Sequence, residues 1–280
     1  MYHTKLSGKG DITYYNAEMG EQSSKRHQLE IGLTTAIENQ EFFLEYQPQK
    51  CLKTGRITGY EALLRWRKNG ILIQPLDFIP ISEDTGQIEA LGAWVLEQAI
   101  KEIKPILSSD QTLAINISPR QFHQGNLVAM VQQILTRYDF PSHQLELEVT
   151  ESAIANNFDD TVTKVAQLNE SGIAIAIDDF GTGYSSLARL SALAIGRIKI
   201  DKSFTAQLDD SDKDGKLICS IINIASSMQL SVIAEGVETQ SQQDKLNALG
   251  CDCIQGYYFA RPMAIDNLIQ SQNPAITATD

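Results

Sequence analysis

Cysteine, histidine and positive charge are scarce in this chain, and each shortage removes a class of protein. Four cysteines in 280 residues (Cys51, Cys219, Cys251, Cys253) are too few for a disulfide-built fold and lack the two paired Cys-x-x-Cys units of a zinc ribbon. Reduced thiols in a cytoplasmic protein are therefore expected. The four histidines (His3, His27, His123, His143) show no metal-ligand spacing and read as surface residues. With 23 Lys and Arg against 35 Asp and Glu, the net charge of −12 excludes a broad basic surface for long nucleic acid. An anionic substrate would need a local positive device, such as bound cations or a few placed Lys and Arg side chains. No stretch approaches the ~18 apolar residues of a membrane span, and the opening Met1-Tyr2-His3-Thr4-Lys5 has no signal-peptide core, so no membrane contact is expected.

What is present is a patterned α/β chain, 42% hydrophobic and 21% charged. Apolar positions at Leu29, Ile31, Leu33 and Ile37 predict a helix entering the domain from Ser23. Eight strand candidates follow: 43–52, 57–66, 113–118, 145–150, 173–178, 197–201, 231–235 and 253–258. The first two are joined only by Lys53-Thr54-Gly55-Arg56, which forces an antiparallel hairpin; every later link is long enough for a helix and a parallel crossover. The expected fold is α/β: a TIM-like (β/α)8 barrel with one antiparallel strand in the first hairpin. A polar tail, 273–280, is expected to be disordered.

Strand alternation separates helix-facing from lumen-facing positions. In Leu113-Ala114-Ile115-Asn116-Ile117-Ser118 the large apolar residues share one parity and Asn116 takes the other. The same rule sets Glu148 inward in 145–150, Asp178 in 173–178, Lys199 and Asp201 in 197–201, and Glu61, Leu63 and Arg65 together on the second strand, while Glu235 closes the strand from Ser231. Most lie at C-terminal strand ends, where barrel enzymes build their sites. Any one such carboxylate is most simply a turn residue or a helix cap. Five acids (Glu61, Glu148, Asp178, Asp179, Glu235) in one lumen would repel one another unless cations neutralised them, and two divalent ions plus Lys199 would balance that charge. An all-oxygen donor set selects Mg²⁺ or Mn²⁺, and two such ions suit phosphodiester hydrolysis. Calcium, with looser coordination, is expected to inhibit.

The motifs Glu61-Ala62-Leu63-Leu64-Arg65-Trp66, Asn116-Ile117-Ser118-Pro119-Arg120-Gln121, Glu148-Val149-Thr150-Glu151, the run from Asp178 to Leu187, Lys199-Ile200-Asp201, Ala234-Glu235-Gly236-Val237-Glu238-Thr239 and Gln255-Gly256-Tyr257 stand in order over about residues 25 to 270. Together they resemble the EAL-domain phosphodiesterases, which open cyclic di-GMP to the linear dinucleotide pGpG. The resemblance implies that Glu61, Asn116, Glu148 and Asp178 hold one metal ion and that Asp178, Asp179 and Glu235 hold or face a second. It implies that Lys199 orients the attacking water, with Glu235 either a ligand or a proton acceptor. Gln47, Leu63, Arg65, Asp201 and Gln255 would contact substrate. Glu151 would anchor a loop containing Gly181, Gly183 and Ser185 that couples metal occupancy to homodimerisation.

The opening residues resemble the end of a GGDEF domain, so residues 1–22 are expected to be a remnant or linker and 23–272 the barrel, within a longer protein carrying GGDEF and sensory domains. Three other readings compete: an EAL-like receptor that binds cyclic di-GMP without cutting it, an enolase-like barrel, and a dimerisation scaffold. The enolase-like barrel normally has a capping domain, for which the residues before Phe43 are too few. The scaffold would not need the clustered acids.

Overall fold

The structure is a computed structural model that describes residues 17–124, 126–155, 157–183, 187–209 and 212–272. The strands are β1 (Phe42–Cys51), β2 (Ile57–Lys68), β3 (Ile71–Ile73), β4 (Thr112–Ile117), β5 (Leu145–Thr150), β6 (Ala174–Phe180), β7 (Arg197–Ile200), β8 (Ser231–Ala234) and β9 (Cys253–Ile254). Their order is β1-β9-β8-β7-β6-β5-β4-β2-β3, and a β1–β2 pairing closes eight of them into a barrel. β1 runs antiparallel to both β2 and β9, while β2 and β4 through β9 are mutually parallel in sequence around the ring. The antiparallel strand inferred from the short hairpin is thus β1.

Three boundaries differ from the sequence reading. β3 was not expected; it pairs with the far end of β2, beyond the barrel, through a turn at Asn69 and Gly70. The last strand is two residues long rather than six, because the chain turns at Gly256 so close to Val237 that a Cβ there would lie 2.2 Å from its backbone. The entering helix α1 spans Ala17–Ala36, starting before Ser23. Residues 1–16 and 273–280, most of the expected remnant and all of the expected tail, lie outside the described residues.

The helices α2 (Pro75–Thr85), α3 (Ile88–Ile103), α4 (Pro119–Gln124), α5 (Leu127–Tyr138), α6 (Glu151–Ala155), α7 (Phe158–Glu170), α8 (Leu187–Ser191), α9 (Lys202–Ala206), α10 (Asp212–Ser227), α11 (Gln240–Ala248) and α12 (Ile265–Gln272) follow. Alternation explains the core. Outward residues Ile115, Ile117, Leu147, Val149, Ile175, Ile177, Ile198, Ile200 and Val232 are buried beneath helix residues such as Ile100, Val131, Val165 and Ile218. Each buried aliphatic side chain contributes about 1.5–3 kcal/mol. A second cluster, with Phe42, Trp66 and Phe78 at ring separations of 5.4–5.8 Å, seats Leu29 and Leu33 of α1 against β2.

Candidate active site

The parallel register lines up the inward residues: Asn116 stands beside Glu148, and Thr150 beside Asp178. At their centre Lys199 is fully buried, its Nζ 2.6 Å from Glu148, 2.6 Å from Glu235, 3.2 Å from Asp178 and 3.5 Å from Glu61. Burial opposes the ammonium charge, but these carboxylates outweigh it and hold Lys199 protonated well above the ordinary lysine range. Glu148 is raised as well, but in its case burial is the main cause: burial, then the Glu61 charge, lifts its pKa well above the usual carboxylate value against the pull of Lys199. Glu61 is also penalised by burial, yet Lys199, Gln255 and Asn116 together keep it below the usual value. Asn116 donates to it at 2.6 Å, and Gln255 donates to its other oxygen.

Period-two alternation cannot put both Asp178 and Asp179 on one face, and β6 resolves this with a bulge. Its register with β7 shifts between Ile177 and Phe180, and Asp179 adopts φ 54°, a left-handed conformation uncommon outside glycine. Ligand oxygens of Asp178, Asp179 and Glu235 thereby lie within 4.8 Å of one another. Burial, with Asp178 and Asp201 adding, raises Asp179 to about 6; burial against Lys199 leaves Glu235 at about 8. Three convergent carboxylates, and a buried Glu148 Oε1 that lacks a hydrogen-bond partner, fit an oxygen-ligated divalent cation.

Above these groups opens a cleft of about 370 Å³ lined by Gln47, Glu61, Leu63, Arg65, Asn116, Asp178, Glu235 and Gln255. Gln255 donates to Gln47 at 3.1 Å, and Gln47 donates to the Ala260 carbonyl, so the two amides are pre-set across the β1/β9 seam. Arg65 is braced by Glu45 at 2.8 Å. Asp201 lies to one side, capping α9 through the Ser203 N–H at 2.9 Å and standing against Asp179. The cleft wall also carries Lys202 and Pro262, which the sequence reading did not name, and Glu238 and Tyr257, which stand in its motifs without an assigned role. Lys202 adjoins a motif residue and Tyr257 ends a motif, but their positions depend on the turns after short strands.

Glu151, buried at the start of α6, accepts hydrogen bonds from the Gly181 and Gly183 N–H groups at 3.0 and 3.2 Å. Both glycines are required: Gly181 has φ 99° with the Phe204 ring against it, and a Cβ on Gly183 would meet the Glu151 carboxylate at 2.9 Å. Ser185 lies outside the described residues. One histidine corrects the surface assignment. His123 is half-buried, its Nε2 2.7 Å from the Ala153 carbonyl of α6, because α4 turns it inward beneath that helix.

Fold and site define a closed, mostly parallel barrel with an acidic, lysine-centred mouth. The chain belongs to the EAL domain family, whose model matches residues 32–262. It is 37% identical over 276 residues to the bifunctional diguanylate cyclase/cyclic di-GMP phosphodiesterase MucR of Pseudomonas aeruginosa, covering 97% of this chain and 40% of that protein. To the cyclic di-GMP phosphodiesterase PdeR of Escherichia coli it is 33% identical, covering 94% of this chain and 40% of that protein. It superposes on the MucR phosphodiesterase in complex with c-di-GMP with a TM-score of 0.83 and 38% identity, over 86% of this chain and 99% of that one. The chain thus spans about two-fifths of the length of these curated relatives. Among the described residues, no helix is long and apolar enough to cross a membrane.

Proposed function

We propose that this chain hydrolyses cyclic di-GMP to linear pGpG. The observation that carries the reading is Lys199 held among Glu61, Glu148, Asp178 and Glu235 beneath an open cleft, in a family whose MucR member is seen with c-di-GMP. Glu61, Asn116, Glu148 and Asp178 would hold one divalent ion, and Asp178, Asp179 and Glu235 a second. Mg²⁺ or Mn²⁺ bound there would supply Lewis-acid activation of water and phosphate.

The chain's own residues supply the remainder. Arg65 and Lys202 face the cleft as cations for phosphate, with the planar Arg65 fork kept in place by Glu45. Gln47 and Gln255 present amide groups to the nucleotide. Lys199, permanently charged, orients the attacking water and meets negative charge developing on the scissile phosphate. Glu235, 2.6 Å from Lys199 on the cleft wall, either completes the second ion's shell or takes a proton from that water.

The test is incubation with cyclic di-GMP and Mg²⁺ or Mn²⁺, followed by chromatography. A single linear dinucleotide is expected, lost in Glu61→Ala and on chelation. Tight binding without product would instead make the chain a receptor. As part of the same proposal, the full protein carries GGDEF and sensory domains and the barrel dimerises; the paired activities in the name of MucR support the first of these.

A further inference from the structure

Two cysteines outside the cleft are brought face to face by the barrel's one antiparallel strand. β1 ends at Cys51 and β9 begins at Cys253, and these residues are direct cross-strand partners. The Leu52 N–H donates to the Asp252 carbonyl at 2.9 Å, which makes the neighbouring couple a hydrogen-bonded pair. By alternation Cys51/Cys253 is a non-hydrogen-bonded pair. Consistently, the Cys51 N–H and carbonyl bond toward the β1–β2 turn, to Arg56 and Gly55, both at 2.9 Å. In such a pair the Cα atoms are about 4.5 Å apart and the side chains leave one face together, within the roughly 4.4–6.8 Å that a disulfide spans.

The two thiols differ in a useful way. Cys51 is half-exposed, and a hydrogen bond with the Thr54 side chain, helped by the Thr54 and Lys53 N–H groups, outweighs its slight burial and holds it below the ordinary cysteine range. Cys253 is buried, with burial raising its pKa, and its sulfur sits 3.8 Å from the Thr58 hydroxyl. The other two cysteines are engaged elsewhere: Cys251 is turned to the Cys253 and Val232 carbonyls at 3.2 and 3.7 Å, and Cys219 lies on α10 beside Asn223 at 3.5 Å. One accessible, activated sulfur therefore faces one shielded partner.

We propose that Cys51 and Cys253 are a peroxide-oxidisable pair that closes a disulfide across the β1/β9 seam. The Cys51 thiolate attacks one oxygen of hydrogen peroxide, the O–O bond breaks, and hydroxide leaves and is protonated to water, giving a sulfenic acid. Cys253 then attacks the Cys51 sulfur as its thiolate; the S–O bond breaks and a second water leaves with the proton Cys253 gave up. Two thiols and one peroxide become one disulfide and two waters, each sulfur losing one electron to the peroxide. The same seam carries the Gln47–Gln255 bond at the mouth, so the link pins the strand pair that positions both amides.

The experiment treats the chain with hydrogen peroxide, caps remaining thiols with iodoacetamide and reads intact and peptide masses. The expected product, before capping, is about 2 Da lighter, reverts with dithiothreitol, and joins the Cys51 and Cys253 peptides while Cys219 and Cys251 are alkylated. Cys253→Ser should leave a Cys51 sulfenic acid that dimedone traps. Alkylation of Cys51 to the same extent as Cys219 after peroxide, or linkage of Cys51 only to Cys251 or to a second chain, would overturn the proposal. The wild-type measurement decides it even where a serine variant folds poorly.

Discussion

The barrel encloses two polar layers, and they follow opposite charge rules. In the lower one Arg197 bonds Glu146 at 3.0 Å, Gln49 at 3.2 Å and the Ser231 hydroxyl at 3.1 Å, one cation to one acid with neutral groups completing the shell. Two residues further along the same strands, Glu148 and Lys199 occupy the equivalent places, but there one ammonium meets Glu61, Glu148, Asp178 and Glu235. A matched buried pair can be sustained by its own contacts, whereas an excess of buried acid demands a further cation or bound protons. The lower layer is matched in charge; the upper layer carries an excess of acid at the mouth of the barrel.

Exchanging the two cations for methionine should separate these roles. Lys199→Met is expected to lower kcat by about 10³, roughly 4 kcal/mol, because among the described residues it removes the one cation in direct contact with Glu61, Glu148, Asp178 and Glu235. Arg197→Met should instead destabilise the fold by about 3 kcal/mol, since it strands Glu146 without its partner, while turnover per folded molecule stays near normal. Urea melts and single-turnover assays on both variants check this. Equal damage to stability and turnover in both would erase the distinction between the layers.

Protons can offset the excess acid as a cation would, which gives a smaller and pH-dependent effect. Asp179 at about 6 and Glu235 at about 8 bind protons more tightly than in the unfolded chain, where both titrate near 4. Their protonation-linked stability is complete below that unfolded value and is lost as pH rises through about 6 and then 8. Mg²⁺ should therefore raise Tm little at pH 5.5 and by about 5 °C at pH 8.5, the size that roughly 2 kcal/mol of ligand linkage gives. Scanning fluorimetry with and without Mg²⁺ reads this, and a shift independent of pH would mean that the acids do not form the binding site.

Much of this was legible in the sequence, for a definite reason. Alternation on β4, β5 and β7 shows which side chains enter the lumen, and Asn116, Glu148 and Lys199 lie where that rule sets them. The rule fails where strands bend or stop. It gives no account of Asp179, which needs the bulge in β6, and it overran β9, whose length is set by the close approach of Gly256 to Val237. β3 is three residues long and lies outside the ring, so no barrel argument required it. Glu45, the brace on Arg65, is found only through the β1–β2 register.

β5 and the residue after it compress the comparison into three acids with three fates. Glu146 is matched by Arg197, Glu148 leans on Lys199 with one oxygen unpartnered, and Glu151 accepts from the Gly181 and Gly183 amides. Glu151 thus fixes the segment that follows Asp178 and Asp179 without reaching the Lys199 cluster. Glu151→Ala should lower kcat about tenfold, near 1.4 kcal/mol, through misplacement of Asp179, and should reduce without abolishing the Mg²⁺-induced Tm shift at high pH, since Asp178 and Glu235 keep their places. Glu151→Gln, which keeps one acceptor for the glycine N–H groups, should recover part of the loss. If the alanine variant turned over at the wild-type rate, the strained Asp179 conformation would be held by β6 alone, and the third acid would belong with the structural layer rather than with the site.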